Sequence, residues 1–114
     1  MIFIYQGDQF PITFSIENEN GEYVADTDIY NMIFTVGEDD SYNIFKSYID
    51  GDITYDSESK QFTIWLYEGD TINLNLLPYE AQLRVFFNDN YILSFDCGQL
   101  IVKECLSKDG EDDG

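Results

Sequence analysis

Histidine is absent from this chain of 114 residues, and only five lysines and arginines stand against 23 aspartates and glutamates, giving a formal net charge of −18. Without imidazole, mechanisms that use it as base, as partner of a nucleophile or as metal ligand are excluded. With so few cations there is no patch to neutralise phosphates, so direct nucleic-acid binding is not expected, and an anionic membrane surface repels the chain. Cysteine occurs only at Cys97 and Cys105, too few for a disulfide framework and a poor start on a structural zinc site. Two reduced thiols are expected, with a single bridge as the alternative. No apolar run approaches the roughly 20 residues of a membrane span. Met1-Ile2-Phe3-Ile4-Tyr5 has no basic leader and too short an apolar run for a signal peptide. A protein that is soluble inside a cell is the expectation.

Alanine is also scarce, with two residues, whereas isoleucine, valine and threonine together number 23 and the aromatics add nine Phe, nine Tyr and one Trp. Branched and aromatic side chains suit a pleated sheet, and good helix formers are few. High charge alone would point to disorder, but 44% of the residues are apolar, enough to build a core. A domain of this size buries roughly two-thirds of its unfolded surface. One domain is expected over residues 1–106, followed by a polar, acidic and disordered tail over 107–114.

Short segments of period-2 alternation recur between turn residues. Ile2 and Ile4 open the first. Phe10, Ile12, Phe14 and Ile16 form the second, where Pro11 demands a sheet edge or a bulge. In residues 29–36, Tyr30, Met32, Phe34 and Val36 share one face, and Ile29, Ile33 and Thr35 the other. Weaker strands are expected over 44–49 and 53–55. Residues 61–68 alternate cleanly, with Phe62, Ile64 and Leu66 against Thr63, Trp65 and Tyr67. After Pro78, Tyr79, Ala81, Leu83, Val85 and Phe87 alternate with Glu80, Gln82, Arg84 and Phe86. Asn88-Asp89-Asn90 then turns the chain into a hairpin with residues 91–97, and Gly98 allows a kink before residues 100–102 continue or change sheets. Seven to nine short antiparallel strands without a helix must cover one another in two layers. The expected fold is all-β, an immunoglobulin-like β-sandwich, with a small β-barrel as runner-up.

The order of four segments resembles the Ig-like domains of tailed-phage and prophage structural proteins, in particular the N-terminal domain of baseplate upper proteins. They are Gln6-Gly7-Asp8-Gln9-Phe10-Pro11, Glu19-Asn20-Gly21-Glu22-Tyr23-Val24, Tyr79-Glu80-Ala81-Gln82-Leu83-Arg84-Val85 and Gly98-Gln99-Leu100-Ile101-Val102. The likeness runs from about Tyr5 to Lys103. It departs from the family where Pro78, and not glycine, precedes Tyr79. The resemblance implies a non-enzymatic tail or baseplate module, located in the virion or the host cytoplasm. Its implied partners are other virion or tail subunits, or a second copy of itself.

The candidate sites follow from these patterns. Tyr79 is expected as a tyrosine corner, a structural role. If residues 29–36 lie beside residues 61–68, then Ile33, Trp65 and Tyr67 cluster on the outside of one sheet, and Phe86 and Ile92 meet across the hairpin on the other. These five residues are the expected interface, since contiguous exposed apolar groups mark contact surfaces; loops or the N-terminal strand covering them is the alternative. The loop carboxylates, such as Glu38-Asp39-Asp40 and Asp50-Gly51-Asp52, lack the ligand pattern of a calcium loop and the facing pair of a glycosidase. No cofactor and no metal are expected. Two other functions compete: a ligand-binding or adhesion module with Trp65 as stacking platform, and an acidic mimic of DNA.

Overall fold

The computed structural model describes residues 2–38, 41–72, 74, 76 and 78–103. Within them lie eight strands: β1 (Ile2–Tyr5), β2 (Phe10–Phe14), β3 (Ile29–Glu38), β4 (Ser41–Ser47), β5 (Ile53–Asp56), β6 (Gln61–Leu66), β7 (Pro78–Phe87) and β8 (Ile92–Lys103). They form two sheets, a five-stranded one in the order β1-β8-β7-β3-β4 and a three-stranded one in the order β2-β6-β5. No pairing joins the sheets among the described residues, so no closed barrel forms. The expected tail over residues 107–114, and Cys105, lie outside the described residues.

Period-2 patterning decides which face each strand buries. In β7, Tyr79, Ala81, Leu83 and Val85 are buried while Glu80, Gln82 and Arg84 are exposed. In β6, Phe62, Ile64 and Leu66 are buried and Trp65 is exposed. The inward faces of both sheets join in one apolar cluster, in which Met32, Phe34 and Val36 of β3 and Phe62 and Ile64 of β6 are almost wholly enclosed. Each such side chain contributes about 2 kcal/mol by leaving water. The ring of Phe62 also packs against Phe14 and Tyr55, with centroids 5.7 and 4.7 Å away. Pro11 sits on β2, an edge strand that pairs, among the described residues, with β6 alone, where its missing N–H costs no ladder bond.

Three features depart from the expected pattern. First, the strands are not all antiparallel: β1 runs parallel to β8, from Ile2↔Leu100 to Tyr5↔Lys103. The chain turns at Gln6–Gly7 and feeds β2 into the other sheet, so β1 cannot pair with its sequence neighbour and lies along the last strand. Second, Tyr30 does not share the face of Met32. The β3–β7 register shifts between Ile29 and Asn31, and this bulge reverses the phase, burying Ile29 and leaving Tyr30 exposed. Third, a short helix α1 (Glu68–Thr71) follows β6, and a 3₁₀ turn covers Asp26–Asp28.

The helix α1 ties the two layers together. Asp70 Oδ2 accepts the Tyr67 N–H at 2.8 Å, capping the helix, and also meets Lys46 Nζ of β4 at 2.7 Å. Thr71 is buried and its hydroxyl donates to the Asp8 carbonyl at 2.8 Å. The turn that holds Asp8 needs Gly7, whose φ is +85° and whose added Cβ would stand 3.1 Å from Ile72 Cδ1. Midway along its length, β8 runs through Gly98 (φ +82°) without changing sheets. Its register with β7 shifts there, between Glu80 and Gln82.

Candidate interaction surface

The outward residues of β3, β4, β7 and β8 share one face of the five-stranded sheet. On β3 these are Ile33 and Thr35, on β4 Phe45, on β7 Gln82, Arg84 and Phe86, and on β8 Ser94. Together they line a shallow hollow of about 330 Å³. Phe86 and Ile92 are direct cross-strand partners. Tyr30, turned outward by the bulge, brings its ring to within 5.7 Å of the Phe86 ring at an angle of 49°. Arg84 lays its guanidinium 5.6 Å from the centre of the same ring. Phe86 thus contacts both an aromatic ring and a cation, two interactions that favour one placement of its ring. Tyr30, Phe45 and Ile92 are all more than 40% exposed, so the apolar surface is open to contact.

Of the five residues expected at an interface, three therefore lie on this face: Ile33, Phe86 and Ile92. The other two do not join Ile33. β3 and β6 belong to different sheets, so Trp65 and Tyr67 stand across the core from it, and the supposed Ile33–Trp65–Tyr67 cluster does not form. Alternation gives the face a residue takes, but strand order depends on long-range pairing that a local pattern does not encode. Tyr30, Phe45 and Arg84 escaped notice. The first was hidden by the bulge, and the others are single outward positions that matter only once their strands are neighbours.

Trp65 pairs with Pro11 across β2 and β6, and its indole N–H donates to Thr54 Oγ1 at 2.9 Å. Tyr67 lies under the Lys46 ammonium, 5.2 Å from the ring centre. The other described cations have the same environment, since Lys60 stands over Tyr23 at 5.8 Å and Lys103 over Phe3 at 5.0 Å. Tyr79 is buried to 1% exposure at the start of β7, opposite Leu100.

Cys97 carries a free, half-buried thiol. Burial pushes its pKa up, the neighbouring Asp96 charge pushes it further, and only a contact with the Leu83 backbone opposes them. The thiol is therefore protonated and weakly nucleophilic near neutral pH. Tyr48 donates its hydroxyl to Asp26 Oδ2 at 3.2 Å, and burial and the Asp26 charge raise its pKa above the ordinary phenol value. Among the described residues, no three acidic or cysteine side chains converge as metal ligands would. None of the described helices is long and apolar enough to cross a membrane. No protein-family model, curated protein or solved structure matches the chain.

Proposed function

We propose that this protein is an immunoglobulin-like β-sandwich acting as a non-enzymatic structural module of a phage or prophage tail or baseplate, docking to neighbouring subunits through the outer face of its five-stranded sheet. The strand order supports the fold. In the immunoglobulin lettering, β2-β6-β5 reads B-E-D and β8-β7-β3-β4 reads G-F-C-C′. Tyr79 near the start of the strand lettered F has the place of a tyrosine corner, and Ala81 stands two residues on, where antibody domains carry a cysteine.

The observation that carries the docking role is the half-buried Phe86 ring, in contact with Tyr30 and Arg84, beside the exposed Phe45 and Ile92. Aromatic and arginine residues supply most of the energy at protein contacts. The test places a photo-cross-linking phenylalanine at position 86, and at position 65 as control, in cells producing the virion or prophage. Adducts from position 86 with tail or baseplate subunits are expected. Adducts only from position 65, or only with proteins unrelated to the virion, would overturn the reading.

A further inference from the structure

The first half of β8 is short of neighbours on both its edge and its inner face. β7 pairs with it on one side, while β1 registers only against Leu100 and the residues after it. Residues 92–97 therefore have an unpaired edge among the described residues. The Tyr91 carbonyl accepts the Phe87 N–H, and antiparallel alternation then turns the backbone groups of Ile92, Ser94 and Asp96 to the open side. Among the described residues β2 is also an edge, in the opposite sheet. On the inner face, Leu93 and Phe95 are 48% and 39% exposed, although their cross-strand partners Val85 and Leu83 are buried. The three-stranded sheet does not reach far enough to cover them.

Between these two edges runs an apolar groove. Its deeper part, about 370 Å³, has Ile12, Phe14 and Ile16 on one wall and Phe95 and Cys97 on the other, over a floor that includes Leu83. Past Ile16 and Phe95 it continues into a second hollow of about 470 Å³ that reaches Val24, Tyr91 and Leu93. The charged lining residues are Glu17, Glu19 and Asp89, all acidic, and Asp96 flanks them. Lys60 stands over Tyr23, the bridge partner of Glu17.

We infer that this groove receives an extended segment of a partner protein, apolar at alternate positions and basic at the others, which adds as a strand along residues 92–97. Six residues of strand span about 20 Å. Backbone pairing along the open edge supplies affinity, and alternate side chains entering the groove supply selectivity. Charge selects among occupants. A second copy would bring another −18 and the same acidic rim. Residues 104–114 of this chain hold five acids and one lysine, and the rim repels them too. A cationic strand is the complement.

The inference rests on the docking reading but uses the backbone edge and inner face of β8 and not the Phe86 side chain, so the two fail separately: the position-86 adducts do not depend on the groove, nor peptide capture on Phe86. The probe is a synthetic alternating Lys–Val heptapeptide, with an alternating Glu–Val heptapeptide and a non-alternating peptide of the same Lys and Val content as controls, added to the full chain. Binding is read by titration calorimetry and by amide hydrogen exchange. Only the alternating cationic peptide is expected to bind, slowing exchange at Ile92, Ser94 and Asp96. Reversing Glu17, Glu19 and Asp89 to Lys should weaken it about tenfold, and these surface changes leave the core intact. Phe95→Gln, at an already exposed position, should weaken it comparably. Equal binding of all three peptides, or no capture up to about 1 mM peptide, would overturn the inference. Protection at these amides without peptide would also overturn it, in favour of a second copy if it grows with protein concentration and of the chain's own terminal residues if it does not.

Discussion

Lys46 points inward from the edge strand β4, and its side chain is only 8% exposed; its carboxylate partner Asp70 is 26% exposed. This asymmetry sets the cost of breaking the pair from each side. Replacing Lys46 by Met leaves Asp70 partly in water and still capping α1 through the Tyr67 N–H, so a loss of about 1 kcal/mol is expected. Replacing Asp70 by Ala removes that cap, worth about 1 kcal/mol. It also strands a nearly buried ammonium, which costs about 2 kcal/mol more, at the low end for a buried pair because Asp70 is partly solvated. The total is about 3 kcal/mol, or about 12 °C in Tm for a domain of this size. The sharper consequence concerns the double variant. Once Asp70 is gone, Lys46→Met removes the stranded charge and should restore about 1–2 kcal/mol. Urea unfolding followed by fluorescence of Trp65, the single tryptophan, reads all four proteins. If Lys46→Met destabilises the Asp70→Ala background as much as it does the parent, the ammonium suffers no burial penalty and the reasoning fails.

Two further outcomes follow from local geometry and titration. Gly7→Ala meets both a left-handed backbone and the close approach of Ile72 Cδ1, whereas Gly21→Ala meets only the backbone, with open space at its Cβ. The first should cost about 2 kcal/mol and the second about 1 kcal/mol by urea midpoint, and equal costs would deny the Ile72 contact. For Cys97 the folded chain disfavours the thiolate, so the unfolded chain ionises first as pH rises past the ordinary value of 9.0. The stability this thiol contributes is complete below that pH and declines above it. In a Cys105→Ser background, Cys97→Ala should lessen the fall in urea midpoint between about pH 8 and 10; an unchanged or steeper fall in the variant would refute the assignment. Tyr48, also raised, adds its own decline above 10.0.

Strand identity and facing were largely legible because period-2 patterning is a local property. The buried positions Phe62, Ile64 and Leu66, and the series from Tyr79 to Val85, lie where alternation puts them. Pro11 stands on an edge strand, one of the two places, edge or bulge, that its missing N–H allows. Where local chemistry broke the period, the reading failed. The bulge at the start of β3 turned Tyr30 to the outside, and no neighbouring residue announces it. Lys46 sits at an inward position where a charge is unexpected, and its carboxylate partner lies 24 positions away in sequence on α1.

The sequence by itself therefore determined the all-β class, the turns and the buried side of most strands, since these depend on a residue and its near neighbours. Tertiary structure alone decided which strands became neighbours: that β1 lies parallel to β8, that β3 and β6 part into separate sheets, and that half of β8 has, among the described residues, an open edge. Strand partners meet across dozens of residues, and the choice among them depends on how all the apolar faces are covered at once. The surfaces open to other molecules follow from that choice.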